Sequence, residues 1–430
     1  MAASLKPSGF FVLRAPLLPL EELDRLRADP DHWQTLAARP DVLEALHLAS
    51  PGLVRRLAEG DPDQRVAASV TAYLVRMCTR ATPFGLFAGC ALGAVADDTA
   101  LFVDGPDGIA RHSRPDTEVL ASLVERLLTD PETRSAMIVE PNSSHYRAAG
   151  AMRLIESRLR DGRRRTHHLV VVEDDGPLRC ALDAAAGGCS IERVADAVAA
   201  HAGVGHDEAR DYVDALVDAQ VLTPVAEPAV TGSEPLHQVL SCLTAPELTA
   251  TTVALARVSD ELDRLDAAGL GNPPAAYEQV AGALLELAGD TDDARLVQVD
   301  MHRAGAGLTL GRDDVRLLAE AVDLLHRVTP VGDDGAMRRF KDAFAQRYED
   351  REVPLMEALD EEMGIGFDPS THPAADESPL LDGLDLGGAE GDGIFTARDA
   401  TLLDLLLRVR ERILEPAHRT VVPDRGHPMQ

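Results

Sequence analysis

An α+β fold of mixed helices and small sheets, with a winged-helix-like module embedded in it, is what this sequence predicts. Three observations predict it. Residues 41–60 and 63–80 carry apolar side chains at helical spacing, with Val66, Val70, Tyr73, Leu74 and Met77 recurring at i, i+3, i+4 and i+7. Short runs such as GFFVLRAPLLPL at 9–20 and RLVQVDMH at 295–302 read as strands. Between 166 and 226 a strand, three short helices and a final strand follow one another, an order that resembles a winged helix.

The elements follow in order. Arg14 interrupts the first strand and prolines close it. Pro83 and Gly85 end the helix over 63–80 and force a turn, after which 87–103 has strand-like spacing. The stretch 108–175 mixes a helix over 116–129 with strands around 136–140, 151–155 and 168–173. Leu178 to Ala186 is a short helix ending at Gly187 and Gly188. Ser190 suits the N-cap of a helix over 191–201, and Asp207 that of a helix over 208–219; 221–225 closes the module as a strand. Residues from about 236 to 288 are largely helical, and helices follow over 313–328 and 336–348. Residues 368–393, rich in Asp, Gly, Pro and Ser, read as a solvated linker, and a last helix spans 396–414.

Composition narrows the function. A chain of 430 residues holds roughly two to four domains at ~100–200 residues each. With 45% hydrophobic but only 3% aromatic residues, the core rests on Leu, Val and Ala. No run reaches the ~18 apolar residues of a membrane span, and the N-terminus lacks a signal peptide's features, so a cytoplasmic location without membrane insertion is expected. The five cysteines form no CxxC and no zinc-like spacing, so free thiols and no metal are expected. A net charge of −30 argues against a surface coated by nucleic acid, yet leaves room for a local basic patch. Lys6 and Lys341 are the only lysines; every other fixed cationic side chain is Arg, whose planar fork pairs bidentately with phosphate or carboxylate.

The segment YLVRMCTRATPFGLFAG at 73–89 resembles the N-terminal signature of lantibiotic dehydratases, in which an Arg-x-x-x-Arg helix runs into Thr-Pro-Phe-Gly. Five further blocks match in order: FVLRAPLLP at 11–19, RPD at 114–116, VLTPVAEPAVTGSEPL at 221–236, QVDM at 298–301, and FKDAFAQRYEDREVPLMEALDEEMGIGF at 340–367. The resemblance implies transfer of glutamate from glutamyl-tRNA to Ser or Thr of a ribosomally made precursor peptide, with elimination of glutamate left to a separate domain. Glutamyl-tRNA is the implied co-substrate and no other cofactor is expected. The implied partners are the precursor's leader peptide and a separate elimination-domain protein; a homodimer stays open.

The resemblance assigns Arg76, Arg80, Thr82, Asp300, Asp116 and Arg14 to the glutamylation site. Arg76 and Arg80 lie four apart and emerge on one helix face, where two forks suit tRNA phosphates, the glutamyl carboxylate or both; a solvated helix face is the plainer account. For Thr82 that account is a turn-capping hydroxyl, for Asp116 an N-cap, for Asp300 a strand residue facing water, and for Arg14 a snorkelling edge cation. The run at 152–168 carries Arg153, Arg158, Arg160, Arg163, Arg164 and Arg165, a basic stretch suited to a tRNA backbone or else a solvated charged helix and loop. The winged-helix-like module resembles the leader-recognition element of peptide-modifying enzymes, in which the leader adds a strand to a sheet edge. His168, Leu169, Val170, Val171, Val172 and Glu173 are the expected edge; an ordinary strand within the domain is the alternative.

The expected organisation is a glutamylation core over 1–165, the leader module over 166–226, a second part of the core over 227–367, a flexible linker over 368–395 and the start of a truncated segment over 396–430. Relatives' glutamylation regions continue further, so the elimination domain is expected to be absent. Three readings follow: a glutamyl-tRNA-dependent acyltransferase that needs a partner, a non-catalytic leader-binding subunit or remnant, and an enzyme extending peptides from aminoacyl-tRNA.

Overall fold

A computed structural model of the chain describes residues 6–367 and 403–408, apart from 61–62, 104–107, 149, 161–163, 233, 290–295, 304–306, 330–334, 361–362 and 406. The chain forms two units, Met1–Pro369 and Ser370–Gln430. In the second, residues 403–405 and 407–408 are helical. The expected linker over 368–395 and the rest of the expected helix over 396–414 lie outside the described residues.

The first strand, β1 (Phe10–Pro16), leads into α1 (Glu21–Ala28), α2 (His32–Ala37), α3 (Pro40–Ala49), α4 (Pro51–Ala58) and α5 (Gln64–Thr79). The helical pattern over 41–60 is therefore two helices. Pro51 lacks the N–H that would continue the ladder from α3, so it opens α4 instead. Asp63 caps α5 by accepting from Val66 N at 2.8 Å. Next come β2 (Ala88–Ala96), β3 (Ile109–Pro115), α6 (Thr117–Thr129) and α7 (Pro131–Ala136). The strand expected over 87–103 stops at Ala96.

The embedded module contains β4 (Ile138–Pro141), β5 (Tyr146–Ala148), β6 (Ala151–Arg160), β7 (Arg164–Glu173), α8 (Gly176–Ala185), β8 (Cys189–Ser190), α9 (Ile191–Ala202), α10 (His206–Asp218) and β9 (Leu222–Pro224). Its own core runs from Val139 to Leu222, starting upstream of 166 because β7 has β6 as its ladder partner. The residues read as a charged helix and loop over 152–168 are the arms of that β6–β7 hairpin. Ser190 caps α9 as expected, whereas α10 starts at His206 behind Gly205. Asp207 thus sits in the first turn, where its charge favours the helix dipole.

The chain returns through α11 (Pro235–Cys242), α12 (Thr249–Ala267) and α13 (Pro274–Ala288) to β10 (Val297–Arg303) and β11 (Thr309–Gly311). It continues into α14 (Arg312–Val328), α15 (Gly335–Tyr348) and α16 (Leu355–Leu359). The five-stranded sheet has the order β1-β2-β10-β3, with β11 also paired to β2. A larger core joins α3, α5, α6, α12 and α13 to the sheet through Leu46, Val70, Leu74, Leu120, Leu255, Val280, Val299 and Met301. Each such buried side chain contributes about 1.5–3 kcal/mol. The result is the α+β architecture that the sequence predicts.

One polar group crosses this apolar core. Arg111, on the inner face of β3, is ion-paired with fully buried Glu44 of α3 and, at 3.0 Å, with Asp266 of α12. Its guanidinium also donates to Ser113 Oγ at 2.8 Å and to the hydroxyl of Tyr277 on α13. Glu44 in turn accepts from Gly271 N at 2.6 Å and from Asn272 Nδ2 at 3.1 Å. Burial raises the pKa of the Tyr277 phenol and keeps it neutral.

Truncating one member leaves a buried charge without its partner. Glu44→Ala is therefore expected to cost about 3–5 kcal/mol in urea unfolding; a loss below about 1 kcal/mol would show that the network does not hold the layers together. His47, one turn after Glu44, stacks on Tyr277 with ring centroids 5.8 Å apart, and burial lowers its pKa. The folded state therefore favours the neutral ring, and stability is lost as pH falls below about 6.5, where the unfolded chain takes up the proton. His47→Asn is expected to flatten the dependence of the melting midpoint on pH below about 6.5; parallel pH curves for variant and wild type would remove His47 as the cause.

Candidate functional site

Strand alternation sends Arg111 and Ser113 inward, so their neighbours His112 and Arg114 face outward. The antiparallel register sets His112 opposite Asp300 and Arg114 opposite Gln298 on β10. Arg114 Nη1 lies 2.6 Å from Asp300 Oδ2, and Arg114 Nη2 donates to Gln298 Oε1 at 3.2 Å. Gln298 Nε2 donates to Asp116 Oδ2 at 2.5 Å. Asp116 is also the N-cap of α6, its other oxygen accepting from Glu118 N at 2.9 Å. Asp300 and Asp116 are thus joined by a string of polar contacts across the outer face of the sheet. His112 Nε2 extends this polar surface to Glu234 Oε2 at 2.7 Å.

Arg76, Arg80 and Thr82 sit where α5 turns into β2. Arg80 is the exposed C-cap of α5, its N–H donating to Arg76 O at 3.0 Å. Its side chain and that of Arg76 line a cavity of about 620 Å³ beside α4 and α5, together with Ser50, Ser69, Tyr73 and Thr79. Thr82 is exposed. The turn passes through Gly85, whose φ of +52° is a left-handed conformation that side chains rarely adopt. The turn then enters β2 directly beside β10. His302 pairs with Cys90 in parallel, so Ala88, two residues earlier, is level with Asp300. Two clusters, Arg76-Arg80-Thr82 and Asp116-Asp300, therefore flank one end of the same sheet. Arg14 is exposed on β1 opposite Cys90, in the row that continues to His302.

The basic run is placed differently from the sequence expectation. Arg153 is buried, its Nε 2.7 Å from fully buried Asp360 beyond α16, and Tyr146 Oη donates to the same carboxylate at 2.9 Å. Arg165 is held by Glu118 at 2.9 Å and Glu125 at 2.5 Å, and Arg158 by Glu156 at 2.6 Å. These three cations are engaged by local acids, and Arg153 is removed from solvent altogether. Arg163 lies outside the described residues, as do the side chains of Arg160 and Arg164.

His168–Glu173 falls on β7, an edge strand of the order β5-β6-β7. A free stretch of β6, beyond β5, is plugged by side chains. Asn142 Nδ2 reaches Ile155 O at 3.2 Å, Ser144 Oγ accepts from Ile155 N at 2.8 Å, and Gln220 bonds both backbone groups of Ser157 at 2.7–2.8 Å. Among the described residues the backbone bond to β7 from outside β6 is at its very end, where Asp175 N donates to Glu173 O at 3.1 Å. Leu169 and Val171, 45% and 51% exposed, stand on its outward face.

Sequence reasoning missed Arg114, Gln298 and His112. Arg114 and Gln298 lie inside the matched blocks RPD and QVDM, next to the residues it did select, and the period of two was the available signal. Among the described residues no three His, Cys, Asp or Glu side chains are grouped to hold a metal ion. No described helix is long and apolar enough to cross a membrane.

Over residues 38–413 the chain matches the family described as lantibiotic dehydratase, N terminus. It is 19% identical over 372 residues to the epidermin biosynthesis protein EpiB of Staphylococcus epidermidis, a match covering 84% of this chain and 37% of that protein. The solved tRNA dependent lantibiotic dehydratase MibB from Microbispora sp. 107891 aligns with TM-score 0.68 and 25% identity, over 86% of this chain and 36% of that one. The glutamylation domain of TbtB from thiomuracin biosynthesis shares the fold at TM-score 0.56 and 20% identity, over 92% of this chain and 48% of that one. This chain thus spans little more than a third of the length of EpiB and MibB.

The Arg114–Asp300 pair is partly solvated, with side chains 24% and 51% exposed. Arg114→Ala is expected to cost less than about 1 kcal/mol in urea unfolding; a loss of several would make the string a structural brace rather than a free surface.

Proposed function

The chain belongs to the lantibiotic dehydratase N-terminal family, and from that premise we propose that it transfers glutamate from glutamyl-tRNA to Ser or Thr side chains of a ribosomally made precursor peptide. The observation that carries this reading is the pair Arg76 and Arg80, which line one cavity and have no carboxylate partner among the described residues, in a chain of net charge −30. The transfer is acyl exchange between oxygens. The peptide hydroxyl oxygen attacks the glutamyl ester carbon, the bond to the tRNA ribose oxygen breaks, and that oxygen takes up a proton. The donor is already activated, so the protein's part is to align the two substrates and to stabilise the oxyanion. Arg76 and Arg80 supply positive charge, Thr82 a hydroxyl donor, and Asp300 a carboxylate to relay the hydroxyl proton. Arg114 and Gln298 orient Asp300 and Asp116, and Arg14 adds charge on the same face. No further cofactor enters this scheme; elimination of glutamate is a later step outside it.

The leader peptide is assigned to β7. Its open edge and the exposed Leu169 and Val171 suit addition of a strand, with backbone bonds supplying affinity and alternate side chains specificity. That edge also favours a second reading, a leader-binding subunit without catalysis.

Mass spectrometry of precursor peptide incubated with this protein, glutamyl-tRNA and any adjacent partner protein separates the readings. The expected result is glutamyl additions on Ser or Thr, abolished in Arg76→Ala/Arg80→Ala with its circular-dichroism melt unchanged. Leader binding without any addition would favour the non-catalytic subunit. Addition at the peptide C-terminus would favour peptide extension instead.

A further inference from the structure

His112 stands on the outward face of β3, and its ring is held by a carboxylate. Its Nε2 lies 2.7 Å from Oε2 of Glu234, the residue just ahead of α11. An ionised carboxylate can only accept, so the shared proton belongs to Nε2 and the lone pair to Nδ1. Among the described residues Nδ1 has no hydrogen-bond partner, and the side chain is 45% exposed. Glu234 is drier. Its side chain is 21% exposed, and its Oε1 is buried with no partner among the described residues. A carboxylate so poorly supplied with donors interacts most strongly with the ring when the ring is protonated. Fixed tautomer, fixed orientation and a favoured cation are what a carboxylate gives an imidazole that takes up a proton.

The strand register sets His112 directly opposite Asp300. Opposed side chains on one face stand about 4.5–5.5 Å apart at Cβ. The other neighbours on this face are Arg114 along β3, and Gln298 and His302 diagonal on β10. Arg114 is committed to Asp300 and Gln298, while Asp266 of α12 meets Arg111 on the opposite face of β3. Carboxylates hold protons only well below neutral pH, whereas imidazole in general accepts them near it. We propose that His112, oriented by Glu234, is the terminal acceptor of the hydroxyl proton that Asp300 relays. The inference rests on the reading that the chain moves glutamate from tRNA to a peptide hydroxyl. As that hydroxyl oxygen bonds to the glutamyl carbon, its proton passes through Asp300 to His112 Nδ1. When the ester bond to the ribose breaks, the proton returns from the imidazolium to the ribose oxygen. No proton is gained or lost over the cycle.

The test is the rate of glutamyl addition to the precursor peptide, followed by mass spectrometry with the full chain between about pH 5 and 8. Wild type is expected to slow as pH falls, because the protonated ring can take up no further proton. His112→Asn is expected to lower the rate by about 10²-fold or more and to abolish that acidic limb. Glu234→Gln keeps an acceptor for Nε2–H but drops the charge. The imidazolium then loses its anion, so the limb is expected to move to lower pH. His302→Asn, diagonal on the same face, is expected to leave the limb in place. A limb unchanged in His112→Asn would overturn the assignment and leave the proton with Asp300. Should His112→Asn fail to fold, Glu234→Gln decides, and an unmoved limb overturns the inference. A rate loss in Glu234→Gln without any shift of the limb would make the His112–Glu234 contact a structural tie instead. No addition by wild type at any pH would remove the transfer reading and this inference with it.

Discussion

A guanidinium with no exposure to water, Arg111, fixes the relation between the sheet and its helices. Its partners come from α3, α12 and α13, so four segments distant in sequence meet at one charge. A buried pair of this kind adds little net stability over an apolar contact, but every misplacement of its members is costly. Its main effect is to fix the layers in one arrangement. Once Arg111 and Ser113 are committed inward, His112 and Arg114 must face the other way. The polar string Arg114-Asp300 and Gln298-Asp116 on the outer face follows from that commitment.

Charge balance governs what the surface can do. With acids in excess, most of the described arginines are neutralised locally, including Arg153, Arg158 and Arg165 of the hairpin that looks most basic in sequence. At the α5–β2 turn aromatic rings rather than a carboxylate hold the cation of Arg76. A linear count of arginines does not show which of them are paired, because neutralisation depends on what lies across space. The turn itself demands Gly85 in a left-handed conformation, which ties the local sequence to the placement of Phe84.

The embedded module obeys a different constraint, the satisfaction of backbone groups. Asn142, Ser144 and Gln220 fill backbone groups of β6 beyond β5, and β7 stays an edge strand of this sheet. At the other end of the hairpin, Asp360 accepts from Tyr146 and pairs with Arg153, anchoring the segment that follows α16. Gly364 belongs to that anchor: a Cβ there would sit 2.1 Å from Glu357 O, so the turn closes only around glycine.

The sequence by itself determined the class of fold, the amphipathic helices and the family blocks, because periodicity, caps and motif order are properties of neighbours along the chain. It placed α5, α6, α9, β1 and β10 nearly as observed, and it selected Asp116 and Asp300. It overlooked the short helices α1, α2 and α7, whose few residues carry too little periodic pattern. It ran α3 and α4 together across Pro51. Only the tertiary structure decided that Arg153 is a buried strut, that Arg114 and Gln298 join the two selected aspartates, and that Arg76 rests on Phe84. Those outcomes depend on strand register and on contacts across the fold, such as the 207 positions separating Arg153 from Asp360. No local pattern encodes which acid will meet which arginine, since the pairing is settled when the layers pack.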